Sequence, residues 1–263
     1  MNTQNKSGTA VVTGASSGIG AVYAARLAQR GFNLVLVARD WQKLQDLAER
    51  LQRETGVNVE VLTADLTQKV DLVRVEARLR QEDVTVLVNN AGMSIKTDIV
   101  DIDPEQLEQM IALNVLAPSR LAAAVLPGLL ARNRGTLINI SSVLALAPEM
   151  FNGAYSGTKA YVLNLSLNLQ QKVKGTSVKV QAVLPGATRT EIWSKSGTDI
   201  AAMPQEMLMD VDEMVDAALA GLDQGEAITI PALPDVGEWQ AATAARLKMA
   251  PHLSLQHAAA RYR

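Results

Sequence analysis

The chain has 263 residues, 25 basic and 27 acidic, with no cysteine and two histidines, His252 and His257, near the C-terminus. Balanced charge without a like-charged run excludes the footprint of a nucleic-acid-binding protein; missing cysteine excludes disulfides, a thiolate nucleophile and Cys-ligated zinc, and HLSLQH forms no metal-ligand pattern. The polar start MNTQNKSGTA, and apolar runs well short of the roughly 20 uncharged residues of a membrane span, predict a cytoplasmic protein with neither nucleic acid, membrane nor metal as partner.

In chain order, TAVVT (9–13) reads as a strand, followed by helical spacing over 18–30. NLVLVA (33–38) and a helix over 41–55 come next, then VNVEVL (57–62), a helix over 67–81 and VTVLV (84–88). A helical segment over 104–132 opens with Asp103 as cap, Pro104 at the first position and Gln106 where a capping box wants Glu or Gln. Pro118 and Pro127 predict a kink or break within it. GTLINI (135–140), a helix over 153–174, VKVQAV (178–183), AITI (227–230) and a helix over 238–249 complete the series.

Strands that are apolar throughout, alternating with amphipathic helices, predict an α/β single-domain Rossmann-type doubly wound sheet of about seven parallel strands with helices on both faces. The domain is expected to run over 1–263, with a flexible N-terminus (1–8), a substrate lid (187–224) and a C-terminal extension (231–263).

VVTGASSGIG (11–20) admits two chemistries. Gly14-Ala15-Ser16-Ser17-Gly18 fits the G-x-S-x-G turn of a hydrolase nucleophile, but too little chain precedes Ser16 to supply an oxyanion donor, and only the two tail histidines could act as base. Alternatively Gly14, Gly18 and Gly20 lie directly after the first strand and at the mouth of the first helix, where a glycine loop lets a dinucleotide pyrophosphate sit on the helix N-terminus. The spacing, G-x-x-x-G-x-G, differs from the general G-x-G-x-x-G fingerprint.

Six segments occur in order: TGASSGIG (13–20), NNAG (89–92), Asn114 in LNVLAP, Ser142 in INISS, Tyr155-x-x-x-Lys159 in YSGTK, and Pro185-Gly186 in LPGATRT. Together they resemble the short-chain dehydrogenase/reductase family, from about Thr9 to Thr190 and more loosely beyond. The resemblance implies hydride transfer between a nicotinamide cofactor and a carbonyl or alcohol, with Asn114, Ser142, Tyr155 and Lys159 as a catalytic tetrad.

Tyr155 is the expected proton donor, and Lys159, four residues on and on the same helical face, is expected to lower the phenol pKa and reach a ribose hydroxyl. Ser142, chosen over Ser141 by the family spacing to Tyr155, would hydrogen-bond the substrate oxygen. Asn114 would help hold a water leading to the lysine; a structural, helix-bending asparagine is the alternative.

Cofactor contacts are expected from Gly14, Ser16, Ser17, Gly18, Ile19 and Gly20; from Asp65 and Leu66 beside adenine; from Asn90, Ala91 and Gly92; from Tyr155 and Lys159; and from Pro185, Gly186, Thr188 and Thr190 at the nicotinamide end. Asn89 is expected to tie neighbouring strands.

Ala38 stands where an NAD-preferring site carries an acid, and Arg39 follows, so NADP(H) is preferred with NAD(H) possible; Asp40 reads as a helix cap. Trp193, Met203, Met207, Leu208 and Met209 suggest an apolar lid or an oligomer contact, and with Leu144, Met150 and Phe151 opposite they point to an apolar carbonyl or alcohol substrate. The resemblance implies a homodimer or homotetramer. A non-catalytic NADP(H)-binding sensor or scaffold is the alternative.

Overall fold

The computed structural model describes residues 7–195, 200 and 203–263, except for the side chains of Ser194 and Lys195. The chain divides into two compact units, Met1–Pro231 and Ala232–Arg263, with the boundary at the start of the expected C-terminal extension. The second unit holds helix α9 (Val236–Lys248), capped by Asp235, and two short 3-10 turns; none of its described residues is buried. Both histidines lie there, exposed.

The first unit is a seven-stranded parallel sheet, ordered β3-β2-β1-β4-β5-β6-β7. Its strands are β1 (Thr9–Thr13), β2 (Asn33–Ala38), β3 (Val59–Thr63), β4 (Val84–Asn89), β5 (Gly135–Ile140), β6 (Val178–Val183) and β7 (Ile228–Thr229). The β-rich runs become central strands because crossover helices cover both faces. Period-two alternation sorts their side chains: Ala10 and Val12 face α1 (Gly18–Gln29), α2 (Trp41–Thr55) and α8 (Val211–Gln224). Val11 faces the opposite layer of α3 (Lys69–Leu79) and α5 (Ala117–Ala131). The long helix α6 (Gly153–Lys172) packs on β6, and a single turn, α7 (Ile192–Lys195), precedes α8 in the chain.

The chain leaves β1 towards β2 and β3, then returns to β4 and proceeds the other way. That reversal opens a crevice between the carboxyl ends of β1 and β4, the place where doubly wound sheets bind ligands.

Between α4 (Pro104–Ile111) and α5 the helix is interrupted but not broken. It widens into a π-turn, Ala112–Leu116, just before Pro118, while Pro127 lies inside α5. A proline ring clashes with the carbonyl four residues earlier and offers it no N–H; the wider turn relieves that clash at Asn114. Asp103 caps α4 as expected, through the Glu105 amide. The continuous stretch Pro104–Ala131 is long and apolar enough to cross a membrane by length and composition, but half of its apolar window is buried inside the fold, as in a core helix.

Two expected boundaries change. Residues 1–6 lie outside the described part, but Ser7 and Gly8, expected to be flexible, are bonded to Thr85 and Asn33. Helix α8, expected within the lid, is core: Met214, Val215 and Ala218 are fully buried, packed around β1 and α1.

Candidate active site

Every strand is parallel, so the residues that follow them share one edge of the sheet. Gly14 turns the chain out of β1 with φ +66°, a left-handed conformation, and a Cβ there would lie 2.8 Å from Asn90 Nδ2 and 3.0 Å from Ala91 Cα. A Cβ on Gly20 would collide with the Gly14 carbonyl. Asn90 closes this arrangement by donating through Nδ2 to the carbonyls of Thr13, at 2.9 Å, and Gly14, at 3.3 Å. The Thr13 hydroxyl accepts from the amides of Asn90 and Ala91, both at 3.0 Å. NNAG therefore braces the glycine loop. Ser17 is the N-cap of α1 yet makes no capping bond through its side chain, so first-turn amides are left for an anion.

At the other end of the crevice, Asn152 starts α6 with Oδ1 accepting from the amides of Ala154, at 2.9 Å, and Tyr155, at 3.1 Å. Its Nδ2 donates to the Thr97 carbonyl. Capping thus fixes the first turn, which presents Tyr155 and, one turn on, Lys159. Lys159 is buried, with Nζ donating to the Ile140 carbonyl at 3.0 Å and lying 5.8 Å from the centre of the Tyr155 ring. Gly92 belongs to the same pocket: a Cβ there would lie 3.2 Å from Asn114 Oδ1 and 3.4 Å from Lys159 Nζ.

The two adjacent serines divide their roles. Ser141 Oγ donates to the Lys159 carbonyl at 2.7 Å, pinning β5 to α6. Ser142 lies on the Tyr155 side, near enough to oppose the rise of the phenol, and accepts from the Leu144 amide at 3.2 Å.

Asn114 uses both ends of its amide. Oδ1 accepts from the Met93 amide at 2.9 Å, while Nδ2 donates to the Met93 carbonyl at 2.8 Å and to Thr158 Oγ at 3.0 Å. It holds the loop after β4 against α6, as the structural alternative describes. Its main-chain carbonyl is the one whose α-helical donor would be Pro118, which has no N–H. Asn89 does tie strands: its Nδ2 donates to Asn139 Oδ1 at 3.0 Å, and Asn139 donates to Ser166 at 2.9 Å, a buried polar line from β4 through β5 to α6.

Burial dominates the ionisation of the pocket. Tyr155 is pushed up to about 12, with the Ser142 side chain opposing the shift, and Lys159 is pushed down to about 8. The expected lowering of the phenol by the ammonium is therefore corrected in this structure: dehydration outweighs it, and Nζ is engaged by a carbonyl rather than by the phenol oxygen.

The pocket wall is apolar. Ile95, Met110 and Tyr155 are buried together with Leu144 and Phe151 against them, and the Phe151 ring meets Tyr155 edge-on at 6.0 Å. Met150 is exposed. Across the crevice, Pro185 is buried and its carbonyl accepts from the Val143 amide at 3.0 Å; Thr188 bridges to Met209. Of the expected lid, Leu208 is buried and Met209 packs on the core, so both belong to the body; Met203 is partly and Met207 about half exposed, and residues 196–199 and 201–202 lie outside the described part.

Two expected adenine neighbours are otherwise engaged. Leu66 is buried in the core, and the Asp65 carboxylate accepts from the Thr67 hydroxyl at 2.7 Å and amide at 3.0 Å. At the end of β2, Asp40 caps α2 by accepting from the Lys43 amide at 3.1 Å, whereas Arg39 is exposed with no ion-pair partner among the described residues. Sequence reasoning missed Thr158, Met93, Ile140, Ile95 and Asn152. Only Asn152 carried a local signal, a cap-type residue directly before a glycine and three before Tyr155.

The residues present fit a nicotinamide dinucleotide: a glycine cradle that a Cβ would fill, first-turn amides for the pyrophosphate, and at the end of β2 a guanidinium without an ion-pair partner among the described residues.

Comparison with known proteins agrees. A short-chain dehydrogenase from Sphingobium yanoikuyae, solved in complex with NADPH, is 48% identical with a TM-score of 0.95, covering 97% of this chain and 100% of that one. The bulky-bulky ketone specific alcohol dehydrogenase from Comamonas testosteroni is 45% identical with a TM-score of 0.90, covering 97% and 98% respectively. The very-long-chain 3-oxoacyl-CoA reductase of Anas platyrhynchos is 35% identical over 189 residues, 70% of this chain, which spans only 60% of that relative's length. Residues 8–201 match the short chain dehydrogenase family. With the glycine cradle, the buried Tyr155–Lys159 pair and these likenesses together, the chain belongs to the short-chain dehydrogenase family of oxidoreductases.

Proposed function

We propose that the protein is an NADP(H)-dependent oxidoreductase that interconverts a ketone or aldehyde with an alcohol, using Ser142, Tyr155 and Lys159, with Asn114 as the fourth member. The observation that carries this reading is the buried placement of Ser142, Tyr155 and Lys159 at the same sheet edge as the glycine cradle. Bound NADPH supplies the hydride.

Ser142 and Tyr155 donate to the carbonyl oxygen as charge develops on it. Tyr155, kept protonated by burial, then gives its phenolic proton to that oxygen. Lys159, charged below about pH 8, stabilises the resulting phenolate. Asn114, whose amide fixes the loop after β4 against α6, is the residue proposed to help hold a water that leads a proton from solvent to Lys159.

The exposed Arg39 and the NADPH bound by the Sphingobium protein support NADP(H) over NAD(H). The wall of Ile95, Leu144 and Phe151, and the ketone preference named for the Comamonas enzyme, support a bulky apolar carbonyl substrate. Ile111, Leu116 and Tyr161, all exposed along the 104–131 stretch and α6, are the faces for a homodimer or homotetramer; a monomeric mass by light scattering at micromolar concentration overturns that assembly.

The test of function follows NADPH absorbance with a panel of apolar ketones and aldehydes. Turnover by the wild-type chain and its collapse in Tyr155→Phe are expected. Binding of NADPH without turnover across the panel would instead favour the non-catalytic sensor.

A further inference from the structure

Lys43 and Glu191 are 148 positions apart and meet across the crevice: Lys43 Nζ donates to Glu191 Oε1 at 3.3 Å and Oε2 at 3.4 Å. Each end of this pair is in a telling place. Lys43 lies in the first turn of α2, four positions after Arg39. Glu191 directly follows Thr190, whose side chain would be 3.2 Å from a Cβ on Gly18 in the glycine loop. Two residues beyond Glu191, Trp193 donates through Nε1 to the Thr188 carbonyl at 2.7 Å. The pair therefore joins the β2 end of the crevice to the segment that runs from the nicotinamide end towards the substrate side.

Arg39 and Lys43 stand on either side of the Asp40 cap, four positions apart on long side chains, so a phosphate at the end of β2 would be shared between them, and Glu191 would present it with a like charge. One ammonium cannot fully serve two anions, so carboxylate and phosphate compete for it.

We infer that Lys43 is a second anchor for the 2′-phosphate of the coenzyme, and that Glu191 is its internal competitor, released from Lys43 when the phosphate binds. This inference rests on the NADP(H) reading above and deepens it. Glu191 sets how strongly the phosphate is rewarded, and its release moves the Thr188–Trp193 segment only with the phosphorylated coenzyme. Both side chains of the pair are about half exposed, at 47% and 46%, so the competition is modest and salt-sensitive.

The test measures dissociation constants of NADP+ and NAD+ by calorimetry for the wild type, Arg39→Ala, Lys43→Gln, Glu191→Gln and the Lys43→Gln/Glu191→Gln double variant. Lys43→Gln is expected to weaken NADP+ about tenfold and leave NAD+ unchanged. Glu191→Gln is expected to tighten NADP+ about threefold, again without effect on NAD+, and the gain disappears in the Lys43→Gln background. In the Trp41→Phe/Trp239→Phe variant, which keeps Trp193 of the three tryptophans, NADP+ shifts the emission and NAD+ does not.

Weaker NADP+ binding by Glu191→Gln, equal changes for the two coenzymes, or a gain that persists without Lys43 overturns the inference. Selective loss of NADP+ in Arg39→Ala alone leaves the NADP(H) reading standing while the Lys43–Glu191 inference falls. If no variant discriminates between the coenzymes, both fall.

Discussion

The two ends of the crevice use charge in opposite ways. Around Tyr155 the polar groups are buried, and dehydration sets their ionisation, raising the phenol and lowering the ammonium. Around Arg39 and Lys43 the charges stand in solvent, where they keep ordinary hydration and interact weakly. The difference teaches that proton transfer is built where water is excluded and groups are held by caps and carbonyls, whereas coenzyme choice is built where a charge can be exchanged at small energetic cost.

The largest effect that would break this comparison lies at the buried end. Tyr155→Phe should lower kcat for carbonyl reduction by about a thousandfold, with NADPH binding nearly unchanged; a loss below about tenfold would mean that another group donates the proton.

Lys159→Met sharpens the same point through stability. The lysine has a folded pKa of about 8 against its ordinary 10.5, so the unfolded chain binds more protons between those values and wild-type stability rises with pH across that window. Below it the buried ammonium is unfavourable. At pH 7 the methionine variant should be more stable by on the order of 2 kcal/mol, a lead that closes towards pH 10.5 in denaturant titrations. Catalysis runs the other way: reductive kcat/KM of the wild type should fall as pH rises through about 8, where Lys159 loses its charge. A flat profile to pH 10 would detach the ammonium from the chemistry.

At the exposed end, Arg39→Ala should weaken NADPH about tenfold or more relative to NADH, read from the two KM values. The smallest effect is ionic: raising salt from 0.05 to 0.5 M should raise the KM for NADPH a few-fold and leave the pH midpoint of Lys159 in place, because exposed pairs are screened and buried ones are not.

Much of this was legible in the chain itself. Continuous runs such as NLVLVA mark strands covered on both faces, and four-residue spacing puts Tyr155 and Lys159 on one side of a helix. Of the two adjacent serines, Ser141 is engaged with the Lys159 carbonyl, which the spacing alone did not show. Other readings failed for identifiable reasons. Proline chemistry signals a disturbance in 104–132 but not its form, because a π-turn and a kink relieve the same clash. Leu208 and Met209 look like lid residues only while the neighbouring Ala187 backbone, which accepts from the Met209 amide at 3.0 Å, is out of sight. That a local turn and the core engage the side chains of Asp65 and Leu66 shows only in the fold, while their place beside adenine stays an expectation.

Strand and helix periodicity, glycine placement and the Tyr-x-x-x-Lys interval are local properties, set by covalent geometry within a few residues, and they carried the architecture and the catalytic candidates. Folding alone settled which groups are dry, since the shifts at Tyr155 and Lys159 come from the summed burial supplied by β5, α6 and the loop at Gly92. It also settled which distant charges meet, as Lys43 and Glu191 do, because solvation and long-range pairing depend on atoms brought together from separate parts of the chain.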